Sequence, residues 1–226
     1  CTINDMADRE FDAKVARTST RPLASGAVSL SRAGLFLALL LLAGLAVLLA
    51  FNRMTFLLAL VAMPLVIFYP FMKRITWWPQ AFLGLTFNWG VLLGWTALRG
   101  GLEPVVVTLY GGAVLWTLGY DTIYAHQDKH DDTLTGVKST ALRLGENTRS
   151  WLFVFYGGAV ASIALAGWMA GLAPLFYLAL AVAAAHLCWQ TAQLDINDAA
   201  NCLATFKSNM WTGILVLAAL FMGQTA

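Results

Sequence analysis

The sequence predicts an all-α fold: a multi-spanning transmembrane helix bundle around a central cavity. Three observations predict it. Of the 226 residues, 59% are hydrophobic and only 12% are charged, with a mean hydropathy of +0.70; a soluble domain of this size carries about 25% charge. Uncharged runs recur at the length that crosses a hydrocarbon core, about 20 residues in a helix. The basic residues also alternate between rich and poor connections, as they do in membrane proteins.

The spans follow in order. Residues 33–52, 54–72 and 75–98 supply three, and 104–120 a fourth that Asp121 extends. Residues 150–194 are too long for one crossing. The segment Gly171-Leu-Ala-Pro174 divides them, since Gly suits a helix end and Pro a first turn. Residues 208–226 complete seven spans. Lipid admits only helices or closed barrels, and these runs lack the alternation of barrel strands.

Seven spans place twelve of the fourteen basic residues on one side, leaving Arg53 and Arg99 opposite. The rich side is expected to be cytoplasmic. Eleven of the twelve acids fall on that same side, Glu103 being the exception. The site is therefore expected at the cytoplasmic mouth of the bundle. A net charge of +2 is too small to suggest nucleic-acid binding. The cysteines, Cys1, Cys188 and Cys202, show no metal-ligand spacing, and Cys188 reads as a small buried hydrophobe. The chain begins at Cys1 without Met. It is read as one domain, residues 1–226, that lacks a preceding one or two helices.

Two motifs concentrate the acids. Residues 3–12 read INDMADREFD, where Asp5, Asp8 and Asp12 lie three and four apart and Asn4 joins Asp8 at i, i+4. Residues 121–132 read DTIYAHQDKHDD, with Asp121, Asp128 and Asp132 spaced seven and four. On a helix each set forms one stripe, Asp131 pointing elsewhere. Clustered carboxylates repel one another and need cations. Oxygen ligands without Cys or His suit Mg²⁺ or Ca²⁺. Mg²⁺ also takes oxygens from phosphates, so two facing aspartate sets describe a diphosphate cradle. Arg17 and Arg21 follow the first motif, and Lys138 and Arg143 the second; all four are suited to hold phosphate oxygens. The positive-inside bias alone would also place them there. Any single Asp is as readily a solvated loop acid; two stripes on one membrane face are not. His186 reads as a hydrogen-bonded bundle residue, and His126 and His130 as peripheral. A divalent-cation or phosphate transporter would use similar acids, but with ionisable groups near the midplane.

The first motif fits N-D-x-x-D-x-x-x-D and the second D-x-x-Y-A-x-x-D-x-x-D-D at every fixed position. With DAKVARTSTRPLASG, GVKSTALRLG and NCLATFKSN, they make the chain resemble the UbiA family of intramembrane prenyltransferases over essentially its whole length. The resemblance implies about nine helices in the intact fold and a cavity open laterally to lipid. It implies transfer of a polyprenyl group from polyprenyl diphosphate to the ring of 4-hydroxybenzoate, ortho to the phenol, in ubiquinone biosynthesis. Homogentisate, dihydroxynaphthoate and a porphyrin or chlorophyllide are rival acceptors. The implied Mg²⁺ ligands are Asn4, Asp8, Asp128 and Asp132, with Asp5 and Asp12 in support. Asp121 is implied beside the acceptor as the base for the ring proton, and Tyr124 as a diphosphate-bonding or cavity-shaping neighbour. A bacterial inner membrane is the expected location, with a mitochondrial inner membrane the alternative.

Overall fold

A computed structural model describes residues 2–15 and 18–224. Among them the regular elements are all helical: α1 (Thr2–Asp12), α2 (Leu30–Leu48), α3 (Arg53–Ile75), α4 (Pro79–Phe87), α5 (Trp89–Arg99), α6 (Pro104–Ala125), α7 (Lys129–Thr135), α8 (Thr140–Leu144), α9 (Thr148–Met169), α10 (Pro174–Gln193) and α11 (Ala199–Met222). Short 3-10 turns, His126–Asp128 and Gly145–Asn147, join α6 to α7 and α8 to α9.

Local chemistry sets the boundaries. Ser29, Asn52 and Asp198 cap α2, α3 and α11 by accepting backbone N–H groups with their side chains. Proline opens α4, α6 and α10, where its missing N–H costs nothing. The expected break between α9 and α10 falls at Gly171, whose φ of 68° lets Leu172 N–H bond back to Gly167 O at 3.0 Å. The expected span 75–98 is instead two helices. Asn88 interrupts it, its amide donating to Gly84 O at 2.8 Å and to Thr117 Oγ1 at 2.7 Å. The last helix begins nine residues before the expected 208, because Asp198 accepts from Ala200 N at 2.8 Å and Asn201 N at 3.2 Å. Lys207, expected in a loop, therefore lies inside α11.

Seven spans are expected; among the described residues, six helical segments are long and apolar enough to cross a membrane. The one outside that set is α6. It is 22 residues long but carries Tyr110, Tyr120, Asp121 and, in its middle and second half, Gly111, Gly112, Thr117, Gly119 and Thr122. The physical reason is its place in the bundle. It buries eight residues against protein, mainly α9, α4 and α11, whereas α2 buries only Ala33 and presents apolar side chains all round. A helix packed mostly against protein has little lipid-facing surface to keep apolar, here chiefly Val107 near its start.

With no hydrophobic drive between helices in lipid, close contact depends on small residues. A Cβ at Gly112 of α6 would lie 3.0 Å from Ser162 Cβ and 3.1 Å from Ala159 O of α9. The core has two parts along this axis. One gathers Leu118, Ile123, Leu152, Phe155, Leu187 and Cys202; the other gathers Ile163, Phe176, Leu180 and Ala219. Cys202 is buried, but Cys188 is exposed on the outside of α10, contrary to the reading of it as a buried hydrophobe. His186 is a bundle residue as expected, its Nδ1 2.8 Å from Thr212 Oγ1.

A matched pair of substitutions tests the α6–α9 contact. Gly112→Leu is expected to destabilise the bundle by about 1–3 kcal/mol through overpacking. Gly111→Leu, where a Cβ meets nothing within 4 Å, should cost much less. Thermal unfolding of the two proteins in detergent measures the difference.

Candidate active site

Helix α1 lies across the end of α3 and is fastened there by charge. Asp8 is almost fully buried, 1% exposed. Lys73 Nζ donates to its Oδ2 at 2.5 Å and Arg74 Nη2 to its Oδ1 at 3.3 Å. Arg74 also donates to Ala7 O at 2.9 Å and covers the Phe11 ring at 4.8 Å. On the next side of α1, Arg21 Nη1 donates to Asp12 Oδ2 at 2.9 Å and to Asp5 Oδ1 at 3.2 Å. The stretch after α1 is thus folded back so that Arg21 returns to the first motif.

The second motif is bent rather than straight. α6 ends at Ala125, and the 3-10 turn that follows is pinned by buried His126, whose Nε2 lies 2.9 Å from Thr148 Oγ1 of α9. Burial, with Lys129 nearby, holds the His126 ring well below its usual pKa, at about 4, so it is a neutral anchor. His130 is exposed, at the periphery as expected. The turn re-phases α7, so Asp131, expected to point elsewhere, joins Asp128 and Asp132 on the cavity wall. Lys129 steadies the turn from outside by donating to Ile196 O at 2.9 Å and Asn197 Oδ1 at 2.6 Å.

The two motifs face one cavity of about 240 Å³. Asn4, Asp8, Asp12, Arg21, Asp121, Tyr124, Asp128, Asp132 and Lys138 all line it, so most of the sequence-predicted residues converge. Asp5 does not line it but pairs with Arg21 at its edge. Arg143 is not brought there: it is exposed in the last turn of α8, which Ser139 caps and aims away. Arg17 lies outside the described residues.

Sequence reasoning missed Lys73 and Tyr69, both lining residues on α3. Lys73 had been counted only as a positive-inside charge. Its i, i+4 spacing from Tyr69 was the available signal, since that pair shares a helix face. Lys138 is held at the same end of α3. Its N–H donates to Lys73 O at 2.8 Å and its Nζ to Ile75 O at 3.0 Å, where the C-terminal end of a helix favours a cation.

The cavity lining holds six carboxyl groups, Asp8, Asp12, Asp121, Asp128, Asp131 and Asp132, against three cations, Arg21, Lys73 and Lys138. Burial raises Asp132 to a pKa of about 6, with Asp128 adding to the rise and Lys73 and Ser139 opposing it. Such an excess of negative charge calls for further cations. The donors are all oxygens, which fits a hard divalent ion and not zinc. Among the described residues no three His, Cys, Asp or Glu side chains converge into a complete cage. Partial walls of that kind fit Mg²⁺, which keeps waters and shares phosphate oxygens.

Comparison with known proteins bears on this geometry. The sequence pattern described as the UbiA prenyltransferase family matches residues 1–222. The mitochondrial 4-hydroxybenzoate polyprenyltransferase of Arabidopsis thaliana is 48% identical over 226 residues, 100% of this chain and 56% of its own. The chain therefore spans little more than half the length of that relative. Among solved structures, the apo UbiA homolog from Aeropyrum pernix K1 superposes with a TM-score of 0.78 at 25% identity, over 97% of this chain and 82% of its own. The UbiA homolog from Archaeoglobus fulgidus bound to GPP and Mg²⁺ gives 0.62 at 21% identity, over 98% and 81%, and shows the shared fold.

The position of Asp132 sets a pH dependence. A carboxyl group raised to about 6 is protonated below that value and then offers no charged oxygen to a cation. Divalent-cation affinity is therefore expected to fall as pH drops through about 6. Mn²⁺ titration followed by electron paramagnetic resonance measures it, and Asp132→Asn should flatten the profile.

Proposed function

The chain belongs to the UbiA prenyltransferase family, and from that premise we propose that it prenylates an aromatic ring within the bilayer. The reaction is transfer of a polyprenyl group from polyprenyl diphosphate to 4-hydroxybenzoate, ortho to the phenol oxygen, with release of diphosphate, as a step of ubiquinone biosynthesis. The observation that carries the reading is the shared cavity: both aspartate motifs and three basic side chains face one space at one end of an apolar bundle. The name of the Arabidopsis relative supports this donor and acceptor.

In this reading Asn4, Asp8, Asp128 and Asp132 hold Mg²⁺, with Asp5 and Asp12 in support. Bound there, Mg²⁺ supplies charge neutralisation to the diphosphate oxygens. Arg21, Lys73 and Lys138 share that role as the leaving group gains charge. Asp5 and Asp12 fix the Arg21 guanidinium from behind, so it needs no reorientation during the reaction. Lys73 is positioned to pass between Asp8 and the diphosphate. Tyr124, lining the cavity and packed on Phe206 at 4.7 Å, walls the allylic carbon off from water. Asp121, one turn deeper on α6, accepts the ring proton after carbon–carbon bond formation. The polyprenyl tail lies along the apolar helices or in the surrounding lipid.

The name of the Arabidopsis relative includes mitochondria, which favours the mitochondrial alternative. Nothing in it supports the bacterial inner membrane expected first.

The test uses full-length protein in membranes, labelled polyprenyl diphosphate and 4-hydroxybenzoate. Product formation is expected to vanish without divalent cation. Asp8→Ala and Asp132→Ala should each lose about a hundredfold or more, the scale of one charge-stabilising contact. Arg21→Ala should lose far more than Arg143→Ala, because only Arg21 faces the cavity. Full turnover in the Asp8 or Asp132 variant would remove the mechanism.

A further inference from the structure

We propose that Lys73 competes with the divalent cation for the cavity-facing oxygen of Asp8, and yields it only when a diphosphate receives the lysine ammonium. Lys73 thereby makes metal and diphosphate bind together. The proposal rests on the transferase reading above and deepens it, by naming the residue that couples the two ligands.

Asp8 offers two oxygens, and both are met. Lys73 Nζ donates to Oδ2 at 2.5 Å and Arg74 Nη2 to Oδ1 at 3.3 Å. The two cations are not equivalent. Arg74 is not among the described lining residues of the cavity, and its guanidinium is fixed on α1 by Ala7 O and the Phe11 ring. Lys73 lines the cavity together with Asp8. Oδ2 is therefore the oxygen that a cation arriving from the cavity would meet, and Lys73 already covers it. The Asp8 side chain is 1% exposed, so no other approach to the carboxylate is open.

The ammonium also stands between the two motifs. It touches Asp8 of the first, and its charge reaches Asp132 of the second, where it opposes the rise in pKa. A divalent ion gains Asp8 only by displacing it, and breaking a cation away from a buried carboxylate is costly.

Lysine suits such an exchange, being a compact charge on a flexible four-carbon stem. The other lining cations are held differently: Arg21 between Asp5 and Asp12, and Lys138 on Ile75 O. Among the described residues Lys73 Nζ has Asp8 as its one hydrogen-bond acceptor, although an ammonium carries three donors. Displaced onto Asp132, it would obstruct the second motif in the same way. A diphosphate oxygen is an acceptor of matching charge that leaves both motifs to the metal. Each ligand then favours the other by the same factor, because coupling between two bound ligands is reciprocal.

The experiment is Mn²⁺ titration of the full-length enzyme in detergent, followed by electron paramagnetic resonance, with binding of labelled inorganic pyrophosphate measured separately at saturating Mn²⁺. Lys73→Met is expected to bind Mn²⁺ alone about tenfold more tightly than wild type, the scale of one charge-assisted hydrogen bond. It should bind pyrophosphate about tenfold more weakly, for the loss of a contact of the same kind. Opposite signs are the signature, since a lysine that only fastened α1 would weaken both when removed. Lys138→Met, which removes a lining charge that does not touch Asp8, should tighten Mn²⁺ far less. In an Asp8→Asn background Lys73→Met should no longer tighten Mn²⁺, because the contested oxygen has lost its charge. Lys73→Gln keeps a donor to Asp8 without the charge; it should also tighten Mn²⁺, and it covers the case in which the Met variant fails to fold. Mn²⁺ affinity that is unchanged or lower in the Lys73 variants would overturn the proposal. Equal tightening in Lys138→Met would overturn it too, assigning the effect to general charge repulsion. Failure of the transferase reading would appear separately, as wild-type membranes that form no prenylated product, while the Mn²⁺ titration still reads the contest at Asp8.

Discussion

Charge that leaves water must be met by charge, and in this protein that constraint is concentrated at Asp8. A buried carboxylate without a partner is prohibitively costly. Lys73 and Arg74 meet it at 2.5 and 3.3 Å. The same contacts join α1, which has only 11 residues, to the end of a long membrane helix. From this joint the rest of the site takes its place. Arg21 is drawn back by Asp5 and Asp12, and Lys138 is held on the last carbonyls of α3. The first motif is thereby presented to the second across a narrow space. The pairing remains incomplete: six carboxyl groups of the lining face three lining cations, with Arg74 answering Asp8 from outside it, and the proposed divalent ions would answer the negative charge that is left over.

The bundle around the site obeys the complementary rule for lipid. Apolar side chains gain little by meeting each other rather than lipid, so helices associate through small residues and hydrogen bonds. The α6–α9 crossing uses glycine, and polar threads run between helices elsewhere. Thr122 and Thr140 share a hydrogen at 2.8 Å, Gln80 accepts from Thr140 N at 3.0 Å, and Thr55 donates to Thr96 at 3.1 Å. Several of these threads converge behind the second motif. The scaffold and the site are therefore continuous: the contacts that close the bundle also hold the carboxylates in position.

Much of the site was legible from spacing. Asn4, Asp8 and Asp12 share a face because α1 is a regular helix, and i, i+4 arithmetic holds there. Asp131 was misplaced because the same arithmetic was applied across residues 126–128, where a 3-10 turn resets the phase. That turn depends on His126 reaching Thr148, a contact 22 residues away that no local pattern announces. Lys73 was legible as a charge but not as a partner, since its contact with Asp8 spans 65 positions. Lys207 was displaced into a loop because a charge was taken to end an apolar run. The Asp198 cap, not hydropathy, decides where α11 begins.

By itself the sequence determined the helical class, the approximate spans, the single charged face and the two acidic motifs. Each depends on composition or on neighbours within one or two helical turns, where backbone geometry alone sets distances. Only the tertiary structure decided which cations answer which carboxylates, where helices break for side chains on other helices, and that Lys73 rather than Arg74 meets Asp8 from the cavity side. Those features depend on contacts between residues far apart in the chain, whose separation in space is set by packing of the whole bundle and by no local period.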